Sequence, residues 1–307
     1  MSNSSAPRTV RDSLVNLSLI FAMLLIAFGC VCSDDNRSRG KSEIKPQSET
    51  ANTKKPNRTK VNTQSNTTKT SEIPDNGDFH VEYVDVQDSR YSQVNEEMRR
   101  KKVLEKAARD LNKSLALPHD ITLVTRDCGE INAFYKKDDH SITMCYELMD
   151  YYYKLFRQSG DSEKEASQDM SDAMQFIFFH ELGHALIDAY DLPVPGDEED
   201  AADRLSSYIN LEELGESGSR AAIAAADAFN FQSQSSTSKE LPFYDEHSLD
   251  QQRFYNILCS LYGSNPNKYG VLVERKLLPE QRAVRCPGEY QQIVKSWDKL
   301  LKPYRKQ

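Results

Sequence analysis

Among 307 residues the chain has one tryptophan, six histidines, six cysteines and twelve glycines. Glycine is not only scarce but never clustered into a phosphate-cradling loop, which argues against a nucleotide-binding fold. No segment repeats, so solenoids and propellers are excluded. No Cys-x-x-Cys pair occurs, which removes the usual spacing of structural zinc sites. Basic residues are outnumbered by acidic ones, 39 to 47. Over residues 77–307 the imbalance widens to 28 against 40, a net of −12. Phosphate binding draws on clustered Lys and Arg, so no nucleic-acid partner is expected.

What is present begins at the amino terminus. Residues 13–31 form an apolar run behind Arg8 and Arg11, with small residues at Ala27 and Gly29, as in a secretory signal. Cleavage after Gly29 would leave Cys30 at the new terminus, the arrangement used for bacterial lipid attachment, although Phe28 replaces the usual small residue. An uncleaved signal anchor is the alternative, since the run is just long enough to span a bilayer. Residues 1–32 therefore read as a signal peptide, lipoprotein signal or anchor. The protein is expected in the bacterial cell envelope, or secreted, with membrane contact only through this segment. Residues 33–76 are rich in Ser, Thr, Asn, Lys and Gln. They carry too little apolar surface to offset the entropy of ordering and read as a disordered tether. Residues 77–307 then form one domain of ordinary size.

Four cysteines remain in that domain: Cys128, Cys145, Cys259 and Cys286. An even number in an exported chain points to disulfides, with three pairings possible. Cys128–Cys145 and Cys259–Cys286 are favoured because each joins segments close in sequence. A second metal site is the competing reading.

The richest chemistry lies in His180-Glu181-Leu182-Gly183-His184, followed fifteen residues later by Glu199-Asp200-Ala201-Ala202-Asp203. Residues four apart share a helix face, so His180 and His184 can aim at one ion. Glu181 stands beside them as the general base, placed to take a proton from a water that the ion activates. The flanking run Phe176-Ile177-Phe178-Phe179 and Ala185-Leu186-Ile187 leaves little polar surface, so this helix is expected to be buried. Unpaired buried polar groups are costly, and a bound Zn2+, one per chain, gives these a purpose. Glu199 is the candidate third ligand and Glu198 the alternative. Asp203, one turn on from Glu199, is the candidate carboxylate behind His180, since zinc-bound histidines usually donate their other N–H to such a group. The alternative reading of residues 197–200 is a solvated acidic helix start.

The order His180-Glu181-x-x-His184 and Glu199-x-x-Ala202-Asp203 resembles the gluzincin clan of metallopeptidases. In that clan the second motif's Glu is the third zinc ligand and its Asp supports a ligand His. Residues 180–193, 198–203, 245–255 and 282–290 resemble more closely a bacterial family of metallopeptidases assigned on the same motif. The resemblance covers roughly residues 80–303 and bears on the site more than on the substrate.

Residues 81–86, 121–125, 133–135 and 141–145 read as strands, and 96–115 as an amphipathic helix. From residue 146 nearly everything reads as helical. Ser162-x-x-Glu165 is a capping box that can open the helix carrying the zinc motif, with Pro193 and Pro195 after its end. The expected fold is α+β and zincin-like: a small N-terminal mixed sheet, then a mainly helical half carrying the HExxH helix. In zincins the sheet's edge strand holds substrate backbone by strand addition. Residues 141–145 are assigned that role here, an ordinary core strand being the alternative. His247 is the candidate donor near the oxyanion, with Tyr244 as fallback and Arg253 orienting either one. The expected function is zinc-dependent hydrolysis of peptide bonds in a peptide or protein substrate. The alternatives are a zinc amidase acting on cell-wall peptides and an exported zinc-binding protein without peptidase activity.

Overall fold

The computed structural model describes residue 10, residues 74–235 and residues 248–306. Cys30, residues 33–73 of the tether, Tyr244 and His247 lie outside the described residues.

Four strands form one sheet: β1 (Phe79–Tyr83), β2 (Ile121–Arg126), β3 (Ala133–Lys136) and β4 (Ser141–Cys145). Their order is β1-β2-β4-β3, with β1, β2 and β4 parallel and β3 antiparallel to β4. This corrects the edge-strand assignment. Residues 141–145 lie between β2 and β3, and Ile142, Thr143, Met144 and Cys145 are all buried. A strand paired on both sides has no free edge; beside it β3 forms that end of the sheet, with β1 at the other. β1 also starts and ends earlier than the alternation of residues 81–86 suggests. Beyond Tyr83 the chain leaves the sheet, and the Asp127 carboxylate accepts from the Gln87 and Asp88 amides at 2.7 and 2.9 Å.

The helix expected over 96–115 is two helices, α1 (Ser92–Lys101) and α2 (Val103–Ser114). Lys102 between them has φ 52°, in the left-handed region. The apolar periodicity runs on across this single-residue break, which is why it is invisible in the sequence. After β4 come α3 (Tyr146–Ser159) and α4 (Glu163–Ala189). The capping box opens α4 as expected: Ser162 Oγ accepts from the Glu165 amide, and Glu165 Oε2 accepts from the Ser162 amide. Helices α5 (Glu198–Tyr208), α6 (Gly215–Ser235), α7 (Asp250–Ser264) and α8 (Cys286–Leu301) complete the helical half.

Helix α4 is the core of that half; Phe176, Leu182, Ala185 and Leu186 have no solvent exposure. α5 lies across it at Gly183, where an added Cβ would fall 2.9 Å from Ala202 Cα and 3.0 Å from Ala202 Cβ. Glycine at 183 therefore sets how closely α5 approaches the histidine face of α4.

Two disulfides cross-link the chain. Cys128–Cys145 joins the segment after β2 to the end of β4, and Cys259–Cys286 joins α7 to α8. These are the two pairings favoured from the sequence, so the cysteines do not form a second metal site. Two disulfides fit an exported protein. Among the described residues, no helix is long and apolar enough to cross a membrane.

Candidate metal centre

Helix α4 carries His180 and His184 one turn apart, with both rings facing α5. The turn between them holds Gly196 at φ 91°, and Asp197 then caps α5 by accepting from the Glu199 amide at 3.1 Å. That cap places three acidic residues, Glu198, Glu199 and Asp200, in the first turn of α5, where the helix dipole favours them.

The ring atoms converge. His180 Nε2 and His184 Nε2 are 3.3 Å apart. Glu199 Oε2 lies 3.1 Å from the first and Glu199 Oε1 3.3 Å from the second. One ligand atom from each of the three residues can be chosen so that all lie within 4.8 Å of one another. Bonds of about 2.0–2.1 Å around a tetrahedral ion put neighbouring ligand atoms about 3.3 Å apart. The two ring nitrogens stand at that spacing, and each has a Glu199 oxygen at 3.1–3.3 Å.

The far side of each ring is held by a carboxylate. Asp203 Oδ1 is 2.8 Å from His180 Nδ1, and Glu198 Oε1 is 2.9 Å from His184 Nδ1. These contacts suit an N–H on each Nδ1 and turn both Nε2 atoms, which carry lone pairs when the rings are neutral, towards Glu199. Two lone pairs and a carboxylate facing one another call for a cation. The pKa directions agree. Burial opposes the His184 cation, yet Glu199 and Glu198 outweigh it and hold the group up at about 9. His180 is raised in the same way, burial being overcome by Asp203 and Glu199.

Behind His180 stands a second buried charge. Arg253 of α7 donates from Nε to Asp203 Oδ2 at 2.8 Å and from Nη2 to Asp203 Oδ1 at 2.6 Å. Its guanidinium lies over the Phe229 ring, 4.1 Å from the centroid. Burial alone would raise the Asp203 pKa, but Arg253 and His180 hold it well below the usual carboxylate range. Arg253 is thus committed to Asp203; His247 and Tyr244, which it was expected to orient, lie outside the described residues. Ser248, which follows His247, donates its hydroxyl to Asp200 at 2.9 Å, at the start of α5.

Glu181 is buried beside the histidines, and its Oε2 accepts from the Tyr135 amide of β3 at 2.8 Å. A cleft of about 440 Å³ opens here, bounded by Ala133, Phe134 and Tyr135 on one wall and by Glu181, His184, Asp188 and Glu199 on the other. Tyr135 and Asp188 were not among the expected site residues. Asp188 had a signal, being four residues beyond His184 and on the same helix face. Tyr135 had none, since its contact joins a strand and a helix 46 positions apart.

Taken together, this geometry fits a class of protein that holds one metal ion between two helices at the floor of a cleft. The family follows from the sequence match: residues 83–301 fit the family described as "Putative metallopeptidase", and the chain belongs to that family. Membership implies a hydrolase that uses a metal ion. No curated protein and no solved structure matches the chain.

Proposed function

We propose that this protein is an exported zinc-dependent peptidase, with His180, His184 and Glu199 holding the ion and Glu181 acting as general base. The observation that carries the reading is the convergence of two Nε2 atoms and one carboxylate at ligand spacing, with each Nδ1 held by a carboxylate. Two nitrogens and one oxygen suit zinc, and three protein ligands leave a fourth position for a water or substrate. A bound zinc supplies Lewis acidity, bringing a water's pKa towards neutrality and polarising a carbonyl.

The chain's own groups supply the rest. Glu181 takes the proton of the attacking water and passes it to the leaving amine, so the amide is cleaved without a charged amine departing. Asp203 fixes the His180 tautomer, and Arg253 keeps Asp203 ionised. An extended peptide suits the cleft because β3 is an edge strand. Along an antiparallel strand each residue's N–H and C=O point to the same side, alternately. Tyr135 faces the cleft, so Ala133 presents its N–H and C=O there too, in position to pair with a substrate backbone. His247 is proposed as the donor to the oxyanion. Residues 1–32 are proposed to direct export, with lipid attachment at Cys30, and residues 33–76 to tether the catalytic domain.

The test is hydrolysis of an unfolded protein by the zinc-loaded chain beside a Glu181→Gln variant. The variant keeps its metal and loses about 10²–10⁴-fold in turnover. Equal activity in both proteins would sink the assignment of the base. Cleavage of cell-wall peptides but not of unfolded protein would move the reading to the amidase. A zinc-loaded chain inert on both would move it to the binding protein.

A further inference from the structure

Tyr135 touches α4 at two points seven residues apart. Its amide donates to Glu181 Oε2 at 2.8 Å, and its hydroxyl donates to Asp188 Oδ2 at 2.9 Å. The hydroxyl also lies 3.1 Å from His140 Nδ1, and Lys137 Nζ reaches the other oxygen of Asp188 at 2.7 Å. Burial and the Asp188 carboxylate push the Tyr135 phenol up, so it stays a donor at any working pH. The amide bond points away from β4 and removes nothing from the ladder.

We infer that Tyr135 is a positioning residue: it clamps the edge strand to the active helix at Asp188 and thereby fixes one oxygen of the Glu181 carboxylate, leaving the other for proton transfer. The inference rests on the peptidase reading for its effect on turnover, but the clamp itself is a matter of structure. A carboxylate anchored at one oxygen loses the freedom to swing away from the attacking water. A shift of an ångström at such a group costs about 10²-fold in rate. The clamp has a further consequence. The Tyr135 amide is committed to Glu181, so a substrate backbone pairs with β3 through Ala133.

Two measurements on the zinc-loaded full chain test this. The first is hydrogen exchange at the Tyr135 amide, read by selective ¹⁵N-tyrosine labelling, in the wild type and in Glu181→Ala. The clamp requires a protected amide in the wild type and exchange at least about 10-fold faster in the variant. Equal exchange in the two overturns it. The second is a double-mutant cycle with Tyr135→Phe, Asp188→Ala and the pair together. Each single variant should lose about 10-fold in kcat with KM within about twofold and zinc content unchanged, and the pair should lose no more than either alone. Losses that multiply, or losses confined to KM, contradict a shared clamp. If the wild type binds zinc and cleaves nothing, the peptidase reading fails, and the exchange measurement alone decides the clamp.

Discussion

Asp203 and Arg253 are the residues on which the rest of the site leans. A buried ion pair that loses one partner leaves a bare charge, at a cost of about 3–5 kcal/mol. Arg253→Met should therefore lower the melting temperature and weaken zinc binding by about 10–100-fold, because Asp203 no longer holds His180 in place. Thermal melts and a competition titration with a chelator measure both. Unchanged affinity would show that Arg253 supports only the fold. The raised His184 pKa adds a pH dependence of definite sign. In the metal-free protein, the stability from the His184 cation is fully present below its ordinary value of 6.5 and is lost as pH rises through about 9. Zinc needs the neutral ring, so its affinity runs the other way, strengthening as pH rises towards 9. Calorimetry at pH 7 in buffers of different ionisation enthalpy should record proton release on binding; none would mean that His184 is already neutral. At this scale the sequence was most legible. His180, Glu181, His184, Glu199 and Asp203 are local patterns on two helices, and the structure brings them together. The pairing of Arg253 with Asp203 was not read from the sequence, because the two lie fifty positions apart.

The α4–α5 pair is the element that makes a site out of two motifs. Gly183 lets the Ala202 backbone come close enough for Glu199 to meet both histidines. Gly183→Val should force the helices apart, destabilise the fold by about 1–3 kcal/mol and abolish tight zinc binding. If the variant binds zinc like the wild type, helix proximity is not what assembles the centre. Element type was readable where periodicity is local: the capping box at Ser162, the long helix behind it and three of the four short strands appear where expected, and the first is shifted towards the amino terminus. Strand order was not readable. Which of two adjacent strands takes the edge depends on pairing with β2, which lies outside either strand's own pattern. Likewise, the single left-handed residue Lys102 breaks the helix without a Gly or Pro to mark it, so hydrophobic spacing alone reads through it.

For the whole molecule, the two disulfides fit an exported protein, and the family implies a metal-using hydrolase. Cys259–Cys286 holds α8 against α7, which also carries Arg253. Replacing both cysteines by serine should cost about 2–5 kcal/mol of stability. Zinc content should survive at 25 °C, since neither cysteine touches the cluster. Loss of zinc without loss of fold would tie the bridge to the site more directly than its position suggests. The acidic character of the domain was legible from composition alone. The substrate was not, because composition carries no information about the cleft wall.

The central claim is that His180, His184 and Glu199 hold one zinc ion. Metal content of the purified protein, measured beside a His184→Ala variant prepared identically, tests it most directly. The account predicts one zinc per wild-type chain and none in the variant. A folded wild-type protein that takes up no zinc, or a variant that retains it fully, would contradict the account.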